Sequence, residues 1–167
     1  MMQLSDALVI IDLQKGVCSA ANPIYNLESL IQRLNSRISA YFNEQKTIVF
    51  IQHTDSDLPL HSEAFSLLDD LRQPLTSRYV QKTHANSFYH TNLAVILEEA
   101  HCQSIEIWGA QTEYCIDATT KFAHGLGYTV RMVSGSTTTY DTSYMTAQQT
   151  ISFYEAIWTN RFVTMLS

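Results

Sequence analysis

The sequence has few basic residues and no paired cysteines, and each of these features excludes a class of function. It has 10 lysines and arginines against 16 aspartates and glutamates, a formal net charge of −6. Phosphate contacts need basic side chains, so we expect no nucleic-acid partner. Three cysteines without paired spacing predict neither a disulfide framework nor a CxxC metal site. Free thiols persist in reducing compartments, so we expect a cytoplasmic protein.

Long apolar runs and linkers are also missing, and we expect no targeting signal. No apolar run approaches the ~18 residues that a membrane span needs, so we expect no membrane partner. The first residues lack the basic segment that opens a signal peptide. With 167 residues, 46% hydrophobic and 16% charged, and no repeat or low-complexity stretch, residues 1–167 are expected to form a single domain.

Short apolar runs alternate with segments of helical periodicity along the chain. Strands are predicted at 7–11, 47–51, 79–80, 105–109, 128–133 and 161–165, and helices at 27–42, 93–100, 116–126 and 145–157. Such alternation is typical of a parallel sheet with right-handed crossovers and helices on both faces. The predicted fold class is α/β: three layers (α/β/α) around a doubly wound, mainly parallel sheet of about six strands. Residues 57–74 are predicted as an irregular excursion with one helical turn near 65–68, and residues 134–140 as a polar loop.

Three chemically active residues follow strands of this predicted sheet. Asp12 follows the first strand, Lys82 the third, and Cys115 begins a helix just past the fourth. Carboxyl ends of parallel strands share one edge, where these groups can meet. The helix N-terminus and Lys82 would favour the Cys115 thiolate, and Asp12 could take its proton. The alternatives are a buried, inert cysteine and an acid and a lysine that form a supporting ion pair or are solvated.

The motifs around these residues resemble the isochorismatase-like cysteine hydrolase family along nearly the whole chain. The matching elements are Val9-Ile10-Ile11-Asp12-Leu13-Gln14, then Lys82 followed by Asn86-Ser87-Phe88, and Gly-x-x-Thr-x-x-Cys over residues 109–115. The ordered set of three is more specific than any one of them.

The resemblance implies an Asp12–Lys82–Cys115 triad. It also implies a non-proline cis peptide between Ala110 and Gln111 that aims backbone N–H groups, including that of Cys115, at an oxyanion. Members that cleave the vinyl ether of isochorismate lack the nucleophilic cysteine, so Cys115 implies hydrolysis of a C–N bond in a small-molecule substrate through a thioester. No cofactor is expected, and family members commonly form homo-oligomers, dimers or larger.

Three residues near these motifs are candidates for substrate binding. Gln14 belongs to the aspartate–glutamine element, and Phe88 and Tyr114 could form the wall of a pocket. Aromatic side chains at such positions, Trp108 among them, can equally belong to the core.

A metal site is the main alternative chemistry. Nicotinamidase-like members of the family carry an Asp-x-His pair and a further histidine after the second strand. Here that region holds His53, Asp55 and His61 without Asp-x-His. Two histidines and a carboxylate could bind zinc, but we expect no metal and disfavour a nicotinamidase-like activity. A thiol-based redox or ligand-binding protein, and a hydrolase fold kept as an assembly subunit, stay open as further alternatives.

Overall fold

The computed structural model describes residues 3–19 and 23–166, which form a parallel sheet covered by helices on both faces. The strands are β1 (Ala7–Ile11), β2 (Thr47–His53), β3 (Arg78–Lys82), β4 (Ser104–Ala110), β5 (Thr129–Val133), β6 (Thr137–Thr138) and β7 (Val163–Leu166). The helices are α1 (Lys15–Cys18), α2 (Leu27–Asn43), α3 (Leu93–Glu99), α4 (Asp117–Gly125) and α5 (Ala147–Trp158), and a π-helical turn, Thr112–Ile116, directly precedes α4. The predicted α/β fold class is confirmed.

The strand order is β3-β2-β1-β4-β5-β7, with the short β6 beside the end of β4, and every pairing is parallel. The chain therefore builds outward from β1 in one direction and then from β4 in the other. In doubly wound sheets this reversal leaves a crevice at the carboxyl ends of the two central strands, where ligands bind. Here those strands lead directly to Asp12 and to the π-helical turn.

The apolar run of β1 is continuous because both of its faces are covered. Ala7, Val9 and Ile11 belong to one core cluster, which includes side chains of α3, α4 and α5. Leu8 and Ile10 belong to a second cluster, formed mainly with α2. All five are buried. The sheet is thus the middle of three layers, and its central strand is anchored on both sides. Within the described residues, no helix is long and apolar enough to span a membrane.

The local differences from the sequence prediction concern short elements. The four residues of α1 and the two of β6 are too few to give a periodic signal. The excursion has no helical turn near residues 65–68; instead Leu67 forms an isolated antiparallel bridge with Gln14. Cys115 lies in the π-helical turn and not in the first turn of α4. These elements are set by tertiary contacts, which local patterns do not encode.

Gly109 allows β1 and β4 to approach closely just below the carboxyl edge. It pairs in register with Ile11 and has a φ of +137°. A Cβ built on Gly109 would lie 2.0 Å from the carbonyl oxygen of Ile11, which is backbone and cannot swing aside. Only glycine fits this position, which lies between the central strand pair and the π-helical turn.

We expect Gly109→Ala to destabilise the fold by about 3 kcal/mol or more, because it adds an overlap to an unfavourable φ. Gly125→Ala is the matched control, since nothing lies within 4 Å of its added methyl group. It should leave stability unchanged or raise it by up to about 1 kcal/mol. Urea unfolding followed by circular dichroism measures both. Equal midpoints for the two variants would contradict the close-approach argument.

Candidate active site

Asp12, Lys82 and Cys115 meet at the carboxyl edge of the sheet. The Lys82 Nζ lies 2.7 Å from Asp12 Oδ2 and 3.2 Å from Cys115 Sγ. The exposed fractions of the Lys82 and Asp12 side chains are 0% and 3%. A buried ammonium and carboxylate are tolerated only when paired, and this pair is in direct contact. The structure thus brings together the three side chains that the sequence places after β1, β3 and β4.

Asp12 adopts a left-handed backbone conformation, with a φ of +53°. Its N–H donates to the Ile51 carbonyl (3.0 Å), so the backbone turns sharply while still bonded to β2. Its second carboxylate oxygen, Oδ1, is buried and accepts no hydrogen bond from the described residues. Oδ1 is therefore a buried acceptor with spare capacity, on a carboxylate that lies close enough to the Cys115 thiol to affect its pKa.

The surroundings of Cys115 favour the neutral thiol over the thiolate. Burial, with the charge of Asp12 adding to it, raises the pKa of Cys115 to about 12, although Lys82 acts in the opposite direction. The sequence-based expectation of a stabilised thiolate therefore differs from the structure. A helix terminus contributes only about 0.3–1 kcal/mol, whereas burial can move a pKa by about 3–5 units. A nucleophilic role for this thiol would require a base, and the Asp12 carboxylate lies close to it.

The other two cysteines are less accessible. Cys18 and Cys102 are buried, 2% and 8% exposed, while Cys115 is only partly buried. Burial raises the pKa of Cys18 to about 12 and also raises that of Cys102. Both behave as small apolar residues of the two core clusters.

His53 also contacts the ammonium, a contact that sequence reasoning missed. Its Nδ1 lies 3.1 Å from the Lys82 Nζ, and its Nε2 lies 3.1 Å from Asp55 Oδ2. His53 is the last residue of β2 and pairs in register with Lys82. The signal in the sequence was a histidine at a strand end, but its use depends on strand order, because β2 lies between β3 and β1.

Gln14 does not face a substrate site, which corrects its assignment as a candidate substrate-binding residue. It is fully buried. Its Nε2 donates to the carbonyls of His53 and Phe65 (2.9 Å each), and its Oε1 accepts from the N–H of His53 (2.7 Å). Both ends of the amide are hydrogen-bonded to backbone groups, so Gln14 joins the end of β2 to the irregular segment that contains Phe65.

Of the aromatic candidates, only Tyr114 is available at the surface. The Phe88 ring is buried and lies 5.8 Å from Phe122 and 5.9 Å from Tyr128, so it is a core side chain and not a pocket wall. Trp108 is likewise buried and donates to Glu106. Tyr114, next to Cys115, is 58% exposed.

The turn that carries Cys115 is fastened at both ends. The peptide bond between Ala110 and Gln111 is cis. The Gln111 carbonyl accepts from the N–H groups of Tyr114 (3.1 Å) and Ile116 (3.2 Å). At the start of the turn, the Thr112 hydroxyl donates to Thr137 of β6 (2.9 Å). The turn is therefore hydrogen-bonded to β6 as well as continuous with β4.

The described residues contain no group of three or more His, Cys, Asp or Glu arranged to hold a metal ion. Both ring nitrogens of His53 already have partners, and His61 is exposed. Metal independence stays a prediction.

A doubly wound parallel sheet with a thiol, an ammonium and a carboxylate at its switch point is an arrangement suited to hydrolysis of small molecules. A model of the isochorismatase domain matches residues 6–160, so the chain belongs to the isochorismatase family of hydrolases. A crystal structure of an isochorismatase family protein is 43% identical, with a TM-score of 0.94 over 96% of this chain and 97% of that one. The uncharacterized isochorismatase family protein YrdC of Bacillus subtilis is 26% identical over 145 residues, 83% of this chain and 76% of that protein.

Two further matches have named activities. Streptothricin hydrolase of Streptomyces noursei is 24% identical over 139 residues, which cover 81% of this chain but 50% of that protein. N-carbamoylsarcosine amidase of Thermoplasma acidophilum shares the fold, with a TM-score of 0.77 over 95% of this chain and 94% of that one, at 16% identity. At that identity the second match speaks for the fold alone.

We expect Asp12→Asn to speed alkylation of Cys115, because it removes the charge that helps to raise the Cys115 pKa. The thiolate then becomes the anion that pairs with Lys82. Iodoacetamide labelling between pH 7 and 10 with peptide mass mapping should show the Cys115 profile moving to lower pH by about one unit or more. Cys18 and Cys102 are internal controls, and circular dichroism checks folding. An unchanged or slower Cys115 profile in the folded variant would count against this charge assignment.

Proposed function

We propose that this chain is a cysteine amidohydrolase that cleaves an amide or related C–N bond of a small molecule through a thioester on Cys115. One observation carries the proposal: the Lys82 ammonium lies between the Asp12 carboxylate and the Cys115 sulfur, all three at the switch point. Family membership supports hydrolysis, and the sequence relative with a named activity is a hydrolase.

In the acylation step, Asp12 Oδ1 accepts the thiol proton as Sγ attacks the carbonyl carbon of the substrate. The carbonyl π electrons move to oxygen, and we assign backbone N–H groups at Gln111 and Cys115 to that oxyanion. When the oxyanion collapses, the C–N bond breaks and the amine leaves with the proton held by Asp12. The products of this step are the thioester and an amine or ammonia.

In the deacylation step, Asp12 acts again as the base. It takes a proton from water while the water oxygen attacks the thioester carbonyl, and the departing sulfur recovers that proton. Lys82 stays an ammonium throughout and stabilises whichever neighbour is the anion. Tyr114, exposed beside Cys115, is our candidate for substrate contact. The homo-oligomer and the cytoplasmic location stay predictions.

A redox role for the thiol is the weaker proposal. Redox-sensing cysteines are thiolates of low pKa, whereas burial and Asp12 raise the pKa of Cys115. Within the described residues, the other two cysteines, Cys18 and Cys102, are both buried.

We expect Cys115→Ala to reduce turnover by at least about 1,000-fold, because the thioester cannot form. A panel of small amides and carbamoyl compounds, assayed for ammonia release, identifies the substrate. Cys102→Ala, which removes a thiol outside the Asp12–Lys82–Cys115 site, should keep near wild-type turnover. Asp12→Asn should be nearly as severe as Cys115→Ala, and the double variant little worse, because the residues act as one unit. Full activity of folded Cys115→Ala would refute the assignment of Cys115 as the nucleophile.

We also expect the purified protein to contain well under one zinc ion per chain and to keep its activity after dialysis against a chelator. Elemental analysis and assays before and after chelation test this. Stoichiometric zinc that is lost from His53→Ala would revive the nicotinamidase-like alternative.

A further inference from the structure

We propose that His53, held by Asp55, is a positioning residue that aims the Lys82 ammonium at Cys115; the inference rests on the proposed function. An ammonium has three protons and no acceptor. Those of Lys82 have three partners: Asp12 Oδ2 at 2.7 Å, His53 Nδ1 at 3.1 Å and Cys115 Sγ at 3.2 Å. With two acceptors fixed on one side, the third proton is directed at the sulfur.

The contact defines the state of the imidazole. Since Lys82 can only donate, His53 Nδ1 must be unprotonated, and a neutral ring then carries its proton on Nε2. That proton is directed at Asp55 Oδ2, 3.1 Å away. The orientation of the ring is thus set from both sides, by an ammonium and by a carboxylate.

Asp55 is itself fixed in place. Its Oδ1 accepts from the N–H groups of Asp57 and Leu58, at 2.9 Å each. Although burial acts in the opposite direction, these bonds and the neighbouring His53 hold the pKa of Asp55 below its usual value. The carboxylate therefore stays charged and remains an acceptor for the imidazole.

The strand order makes this contact necessary. Lys82 ends β3 and Asp12 follows β1, but β2 lies between those strands. To reach Asp12, the Lys82 side chain must cross the end of β2, where His53 is its register partner. The backbone of His53 is held by Gln14 through two hydrogen bonds, so the crossing point is rigid.

The arrangement depends on which nitrogen of the imidazole carries a proton. Protonation of His53 at Nδ1 would replace the acceptor with a donor and place a second cation against Lys82. Lys82 and Asp55 are the charged groups that contact the ring among the described residues, and Asp12 and Cys115 face the same ammonium. The positioning role therefore requires an unprotonated Nδ1 on His53.

The test compares two substitutions at one position. His53→Leu removes the acceptor, and His53→Asn places an amide oxygen near the site of Nδ1 that does not titrate. We expect kcat/KM to fall about 10- to 100-fold in the leucine variant and to recover to within about tenfold of wild type in the asparagine variant. His124→Leu, an exposed histidine of α4, is the control and should leave kcat/KM unchanged.

Two readouts need no substrate, so they separate this inference from the proposed function. In protein labelled with ¹⁵N-histidine, His53 should show an unprotonated Nδ1 and a protonated Nε2 near pH 8. Alkylation of Cys115 should move to higher pH in His53→Leu but not in His53→Asn. A protonated Nδ1, or equal alkylation profiles and kcat/KM values in the two variants, would overturn the positioning role. Failure of every amide to react, with both readouts as expected, would count against the hydrolase alone.

Discussion

The buried ion pair between Asp12 and Lys82 is the constraint on which the site depends. Both side chains are almost completely buried, and an isolated charge in such surroundings would cost several kcal/mol. The pair is tolerated because the two charges touch, and they touch only if β1, β2 and β3 keep their order and register. The relative positions of Asp12 and Lys82 are therefore set by the sheet and not by a loop.

Residues that never touch a reacting atom maintain this geometry. Gly109 lets β4 approach β1, so that the turn bearing Cys115 starts close to Asp12. The side-chain amide of Gln14 hydrogen-bonds to backbone groups of His53 and Phe65, and these bonds hold the end of β2 beneath the Lys82 side chain. A polar side chain that is fully buried and fully bonded has a structural role, even when it lies next to the site.

The sequence predicts the meeting of Asp12, Lys82 and Cys115 because parallel strands bring their carboxyl ends to one edge whatever their order. It does not predict the contact between Lys82 and His53, because that contact requires β2 to lie between β3 and β1, and strand order is not written in local patterns. Gln14 was misassigned for a related reason: an amide after a strand looks the same in sequence whether it faces a ligand or the backbone. The sequence also does not predict that the pKa of Cys115 is raised. A helix N-terminus and Lys82 can be recognised in the sequence, whereas the depth at which the thiol is buried cannot.

In the proposed mechanism, a thiol that burial keeps protonated gives Lys82 a role beyond stabilising a pre-formed thiolate. At rest the cluster holds one carboxylate, one ammonium and one thiol; after proton transfer it holds one carboxylic acid, one ammonium and one thiolate. Both states have the same net charge, and in both the anion lies against the same ammonium. The transfer therefore moves negative charge from one neighbour of Lys82 to another without adding charge to a buried site. A neutral His53 preserves that balance, because it accepts a hydrogen bond from Lys82 while contributing no charge to either state.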